Sequence, residues 1–224
     1  DRLSDESICS LLRKVAPGSP KLRELCLDRC SRLGEQTVTL CTSYMKDFFR
    51  SLHTLDLSGI LIARPQYEAL AESIESAPRL NDVRLAETGL GAFDAAGIVA
   101  MVISQPNLEA LEIGWNPLSV AAFEALGRGV AEHTVLNTLG LANTSPASSG
   151  EFSPLLNFME SFVGDETMTA LDISTNSLKG SALYALEYVM CQHPCIRVID
   201  VSNNPLGLDG ARCVLRMLAH RGCP

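Results

Sequence analysis

The sequence is poor in aromatic side chains and poor in basic charge. Aromatics make up 5% of its 224 residues, with a single Trp. Lys and Arg number 18 against 26 Asp and Glu, for a net charge of −8. That balance argues against a nucleic-acid binder, which needs a basic footprint to displace phosphate counterions. It fits a basic or mixed protein partner instead. No apolar stretch approaches the ~18 residues of a membrane-spanning helix. The 8 Cys, at positions 9, 26, 30, 41, 191, 195, 213 and 223, are too sparse for a disulfide scaffold. We expect them reduced and the protein cytoplasmic, with Cys41 and Cys213 serving as small hydrophobes. Catalytic signatures are also missing: there is no G-x-S-x-G, no phosphate-binding glycine loop and no H-E-x-x-H. His53, His133, His193 and His220 are scattered along the chain. No enzyme activity and no cofactor are expected.

What the sequence does have is Leu, Ala and Val in a repeating order. A hydrophobic content of 46% excludes a disordered chain. The pattern L-x-x-L-x-L recurs as Leu22/Leu25/Leu27, Leu52/Leu55/Leu57, Leu80/Val83/Leu85 and Leu108/Leu111/Ile113, then as Leu136/Leu139/Leu141, Met168/Leu171/Ile173 and Ile196/Ile199/Val201. The starts are separated by 30, 28, 28, 28, 32 and 28 residues. Such a period marks a repeat architecture. Three residues after each triplet stands Cys30, Ile60, Thr88, Asn116, Thr144, Asn176 or Asn204. An Asn there can bond backbone groups of adjoining coils. Thr and Cys do so less fully, and Ile60 cannot, so a looser turn is expected at Ile60.

The second half of each unit reads as helix. Apolar residues recur at Leu70, Ile98, Leu126, Leu186 and Val214, and four later at Ile74, Val102, Val130, Met190 and Leu218, one helical stripe. Ala122, Ala182 and Gly210 are small where the helix must approach its neighbour. Pro78, Pro106 and Pro194 precede the next strand and stop the helix. One such unit cannot bury both apolar faces, so stacking must supply the core. Strands stack about 4.8 Å apart and helices about 10 Å apart. The expected fold is therefore an α/β horseshoe, with a parallel sheet on the concave face and helices on the convex face.

L-E-A-L-E-I-G-W-N-P-L (108–118), L-D-I-S-T-N-S-L (171–178) and I-D-V-S-N-N-P-L (199–206) carry a family resemblance. The chain resembles the ribonuclease-inhibitor-like leucine-rich-repeat proteins over about residues 22–222. Its uneven unit lengths look like the actin capping-protein regulators known as CARMIL proteins, or the NOD-like receptors. The resemblance implies a solenoid of about seven repeats. We divide it into a partial unit at 1–21, then 22–51, 52–79, 80–107, 108–135, 136–167, 168–195 and 196–224. Residues 4–15 read as the helix of the partial unit, with Ser4 as N-cap, Asp5 and Glu6 in the first turn, and Ile8, Cys9 and Leu12 turned inward. There is no signal-peptide pattern at Asp1, and we expect a fragment of a larger protein.

Candidate functional residues follow from the strand alternation. The residue between the second and third apolar positions faces the concavity, which gives the column Cys26, Asp56, Arg84, Glu112, Gly140, Asp172, Asp200. A second column reads Glu24, Thr54, Asp82, Ala110, Thr138, Ala170, Val198. Asp56, Arg84, Glu112, Asp172 and Asp200 are the expected contacts for a basic partner. Trp115 is expected to join them from the turn rim, beside Asn143 and Asn203, because exposed Trp is enriched in binding hot spots. The insertion at 144–150 should bulge from the rim, with its helix resuming near Phe152. There Thr144, Ser145, Ser148 and Ser149 could accept phosphate. Cys191, Cys195, His220 and Cys223 invite a tetrahedral zinc reading, and Cys195 falls over Cys223 in register. C-x3-C with H-x2-C is not a strong spacing, and no metal is assigned. His133 ends a helix, where it can meet the dipole. The expected function is a non-enzymatic protein-interaction scaffold. The alternatives are a regulator of an enzyme in trans, such as a GTPase activator or ubiquitin-ligase substrate receptor, and a structural subunit of a cytoskeletal or organellar assembly.

Overall fold

A computed structural model of the chain describes residues 4–30, 32–145 and 153–219. Short strands alternate with helices: α1 (Asp5–Val15), β1 (Glu24–Cys26), α2 (Glu35–Asp47), β2 (Thr54–Asp56), α3 (Arg64–Glu75), β3 (Asp82–Arg84), α4 (Ala96–Ile103) and β4 (Ala110–Glu112). The series continues with α5 (Val120–Glu132), β5 (Thr138–Gly140), α6 (Leu155–Phe162), β6 (Ala170–Asp172), α7 (Gly180–Gln192), β7 (Val198–Asp200) and α8 (Gly207–Ala219). The strands pair in chain order in one sheet, every pair parallel. Consecutive helices pack on one another. This is the α/β solenoid that the repeat implies.

The register matches the columns read from the sequence. Leu25, Leu55, Val83, Leu111, Leu139, Leu171 and Ile199 stand side by side across the sheet. From Leu25 to Leu171 they are buried, and Ile199 is half-buried at the edge. The helical stripe meets them from the other side, with Leu70, Ile74, Leu126, Val130, Leu186 and Met190 in the same core. In the last unit Leu218 is exposed, because no further described coil covers it.

At the N-terminus, α1 forms as its residues dictate. Ser4 Oγ accepts from Ser7 N–H, and Ile8, Cys9 and Leu12 are buried. Asp5 does more than favour its own helix dipole. Its Oδ1 accepts from the N–H of Gly34 (3.0 Å) and Thr37 (3.2 Å) and from the Thr37 hydroxyl. It thus caps α2, whose own N-cap residue is a glycine. Burial opposes ionisation of Asp5, but these bonds outweigh it and hold the carboxyl below its ordinary range.

Two polar ladders tie the coils at opposite corners. In the strand-exit ladder, Asn116 Oδ1 accepts from the N–H of Thr88 (3.1 Å), Gly89 (3.0 Å) and Leu90 (3.0 Å). Its Nδ2 donates to the carbonyls of Leu85 (2.8 Å), Ile113 (3.0 Å) and Gly114 (3.1 Å). Asn176 and Asn204 repeat the arrangement on the coils before them. Thr88 and Thr144 use their hydroxyls on their own coil, at Leu85 and Leu141. Ile60 corrects the expectation of a loose turn. It is fully buried, and the backbone holds the turn through Gly59 N–H to Ala86 O (2.8 Å) and Ile62 N–H to Thr88 O (2.9 Å).

The second ladder lies where each helix returns to the next strand, at Gln105, His133, Asp165 and His193. Each has an acceptor that takes backbone N–H groups two or three residues on. Three of them also donate to the preceding coil: Gln105 Nε2 to Ile74 O, His133 Nε2 to Gln105 O, and His193 Nε2 to Asp165 Oδ2. Because Nδ1 of each His is occupied as an acceptor, the proton sits on Nε2.

Candidate functional site

The concave surface is built by the two outward columns of the sheet. The register aligns Cys26, Asp56, Arg84, Glu112, Gly140, Asp172 and Asp200, so the residues singled out in the sequence do lie on one line. Their environments differ. Asp56 is a correction: it is 8% exposed, and its Oδ1 accepts from Ser58 N–H at 2.9 Å. Its carboxylate is folded onto its own turn between Cys26 and Arg84, not presented to solvent. Arg84 donates Nε and a terminal nitrogen to the two oxygens of Asp82, at 3.1 and 2.7 Å. Its charge is therefore largely answered within the protein.

The other carboxylates show the same turn-directed bond. Glu112 Oε1 accepts from Gly114 N–H (2.7 Å), Asp172 Oδ1 from Ser174 N–H (2.8 Å) and Asp200 Oδ1 from Ser202 N–H (2.8 Å). Sequence reasoning missed this. The signal was present as D-L-S (56–58), D-I-S (172–174) and D-V-S (200–202), the local pattern in which Asp bonds a backbone N–H two residues on. Each carboxylate thus supports its turn and is held in a fixed orientation by it.

Glu112 lies flat on the sheet. A β-carbon added at Gly140 would sit 1.7 Å from Glu112 Oε2, and one at Gly114 would sit 2.6 Å from Oε1. The two glycines make the space that the carboxylate fills. Burial pushes the Glu112 carboxyl above its ordinary range. The Gly114 N–H opposes the rise, the Asp172 charge adds to it, and Arg84 opposes it. Asp200, at the open end, is shifted the other way by its bonds from Ser202. Between Arg84 and Asp200 the concave face forms an open depression of about 430 Å³.

Trp115 stands at the turn and is 54% exposed. Its backbone is left-handed, with φ 58°. So are its counterparts Arg29, Glu87, Asn143, Thr175 and Asn203, with φ between 51° and 60°, while Gly59 fills the equivalent place at φ 80°. The Trp115 N–H donates to Ala142 O and the Asn143 N–H to Ser174 O. From Arg29 to Thr175 each left-handed turn thus carries a bond to the next coil. A bulky side chain is unusual in that conformation.

The insertion reading is corrected in part. Thr144 and Ser145 are buried, with the Thr144 hydroxyl donating to Leu141 O and the Ser145 hydroxyl paired with that of Ser153, so neither is presented for modification. Ser148, Ser149 and Phe152 lie outside the described residues, as do His220 and Cys223. Cys191 and Cys195 are half-buried. Neighbouring His193 is turned inward against Asp165 and stacked on Phe162 at 4.8 Å. Among the described residues no three His, Cys, Asp or Glu side chains come together as metal ligands, and none of the cysteines is paired. No described helix is long and apolar enough to cross a membrane.

Comparison with known proteins agrees with this architecture. The family model described as Leucine Rich repeat matches residues 192–215. A curated mouse protein, NACHT, LRR and PYD domains-containing protein 12, is 25% identical over 249 aligned residues, covering 99% of the chain. The chain spans 23% of that relative's length. Among solved structures, the tropomodulin C-terminal domain from Caenorhabditis elegans aligns over 81% of this chain and 98% of its own, with a TM-score of 0.56 and 16% identity. The leiomodin-1 structure titled actin-binding site 2 aligns over 85% and 90%, with a TM-score of 0.51 and 12% identity. At these identities the two structures report on the fold.

Proposed function

We propose that this chain, a leucine-rich-repeat solenoid by its fold, is one domain of a non-enzymatic scaffold that binds a basic protein partner on its concave face. The observation that carries the reading is the in-register line of Glu112, Asp172 and Asp200 on neighbouring or near-neighbouring strands. Each is held by a backbone N–H. Fixed carboxylates cost a partner less ordering on binding than mobile ones. They also steer a cationic surface during encounter. Trp115 extends the surface along the rim. The seven described cysteines are unpaired, which suits a reducing compartment, and we place the protein in the cytoplasm. A structural-subunit role has one observation in its favour: Tyr184, Tyr188 and Leu215 expose apolar surface on the convex helices α7 and α8.

The test is affinity capture of the full-length protein's partners, comparing wild type with the triple variant Glu112→Gln, Asp172→Asn, Asp200→Asn. These amides keep an acceptor for the turn and remove the charge. Loss of basic partners, together with weaker capture as salt rises, supports the reading. Unchanged capture removes it.

A further inference from the structure

The concave face is not uniformly acidic. In the N-terminal half, the column beside the carboxylates carries Glu24, Thr54 and Asp82. From β4 to β7 it carries Ala110, Thr138, Ala170 and Val198. Val198 is 60% exposed although it sits on the sheet face. The depression therefore has two parallel edges. One is low and mostly apolar, and the other carries Glu112, Asp172 and Asp200, with the Glu112 carboxylate lying over Gly140.

Building on the binding role above, we propose that this half of the concave face docks an amphipathic helix with one apolar edge and one Lys/Arg edge. Charge complementarity sets the sign of the partner. The spacing sets its form. Strands lie about 4.8 Å apart and the Glu112 carboxylate lies over Gly140 on β5, so the carboxylates of Glu112, Asp172 and Asp200 fall at roughly 0, 5 and 10 Å along the groove. A helix rises about 1.5 Å per residue. Cations at i, i+4 and i+7 therefore reach about 6 and 10 Å, and they share one helix face. Apolar residues at i−1, i+3 and i+6 lie on the adjoining side, over Thr138, Ala170 and Val198. Because Glu112 lies flat in the Gly140 space, the floor stays low where the helix crosses β5. Arg84, paired to Asp82, closes the N-terminal end against a further cation.

The probe is an alanine-based peptide with lysines at i, i+4 and i+7 and leucines at i−1, i+3 and i+6, fluorescently labelled and titrated with the protein. Two control peptides accompany it: one with Glu for each Lys, and one of equal charge and composition broken by a central Pro. We expect saturable binding of the first peptide, at least tenfold weaker binding of each control, and a loss of tenfold or more with Val198→Glu. Val198 is exposed, so that variant keeps the fold, which circular dichroism verifies. If the Pro-broken peptide binds as well as the helical one, the helix inference is wrong while the acidic-groove reading stands. If neither lysine peptide binds and the triple amide variant captures the same partners as wild type, both are wrong.

Discussion

Replacing Asn116 by Ala should cost this protein a large part of its stability, and the size of the loss follows from the ladder. The side chain is fully buried. It satisfies three N–H groups of the preceding coil and three carbonyls of the two coils it joins. A buried donor left without a partner costs about 1–3 kcal/mol. The carbonyls count for less, since Leu85 O keeps its bond from the Thr88 hydroxyl. Counting the three N–H groups at the low end gives about 3 kcal/mol. A water entering the vacated space limits the upper end to about 5 kcal/mol. Domains of this kind have roughly 5–15 kcal/mol in all. Asn204 makes similar bonds at the last described coil but is only half-buried, so water replaces it there. Asn204→Ala should cost about 1 kcal/mol. Urea unfolding of both variants, followed by circular dichroism and by Trp115 emission, measures the difference. Trp115 adjoins Asn116, so divergence of the two probes would reveal local fraying before the array unfolds. Equal losses in the two variants, or a loss under about 1 kcal/mol for Asn116→Ala, would refute the reasoning.

Further expectations use the same physics. Gly91→Ala should destabilise by more than about 2 kcal/mol, since the added carbon would lie 1.9 Å from the Pro117 carbonyl oxygen. Gly97→Ala, with open space around it in α4, should stabilise by up to about 1 kcal/mol, and paired thermal melts distinguish the two. Glu112→Gln should raise stability at pH 7. The folded state holds this carboxyl above its ordinary range, so its ionisation penalty appears as pH rises through the folded value. Wild type and variant should therefore converge below about pH 4, and denaturant midpoints across pH check this. Asp5 has the opposite sign. Asp5→Ala should cost about 1–2 kcal/mol at neutral pH, as for loss of a helix cap, with the difference fading as pH falls through the depressed Asp5 value.

The solenoid was legible because its signal is periodic. Buried columns repeat residue type at fixed spacing, and stacking alone satisfies them. The asparagine ladder was legible for the same reason. The second ladder was not, because Gln105, His133, Asp165 and His193 share a geometry without sharing a residue type. The role needs an acceptor for the following N–H groups, and three different side chains provide one. His133 does end α5, but that position alone does not reveal its ring bonds to Gln105 O and to the N–H groups of Val135 and Leu136. The line of carboxylates was placed correctly, but alternation in a strand reports direction only. It does not report whether a carboxylate folds back on its own turn, as Asp56 does. Nor does a glycine in a strand reveal that another coil's side chain occupies its space, as Glu112 does over Gly140.

The left-handed positions on the rim have a consequence for how such a surface can change. Backbone bonds between coils support the conformation from Arg29 to Thr175, and Arg, Glu, Trp, Asn and Thr are all accommodated there. A non-glycine residue costs about 1–2 kcal/mol in that conformation, and the core columns are untouched by the choice. Recognition chemistry along this line is thereby uncoupled from folding. Mutation can exchange one outward side chain for another, coil by coil, while the scaffold beneath stays the same. A single-tryptophan rim is one setting among many that this backbone can display.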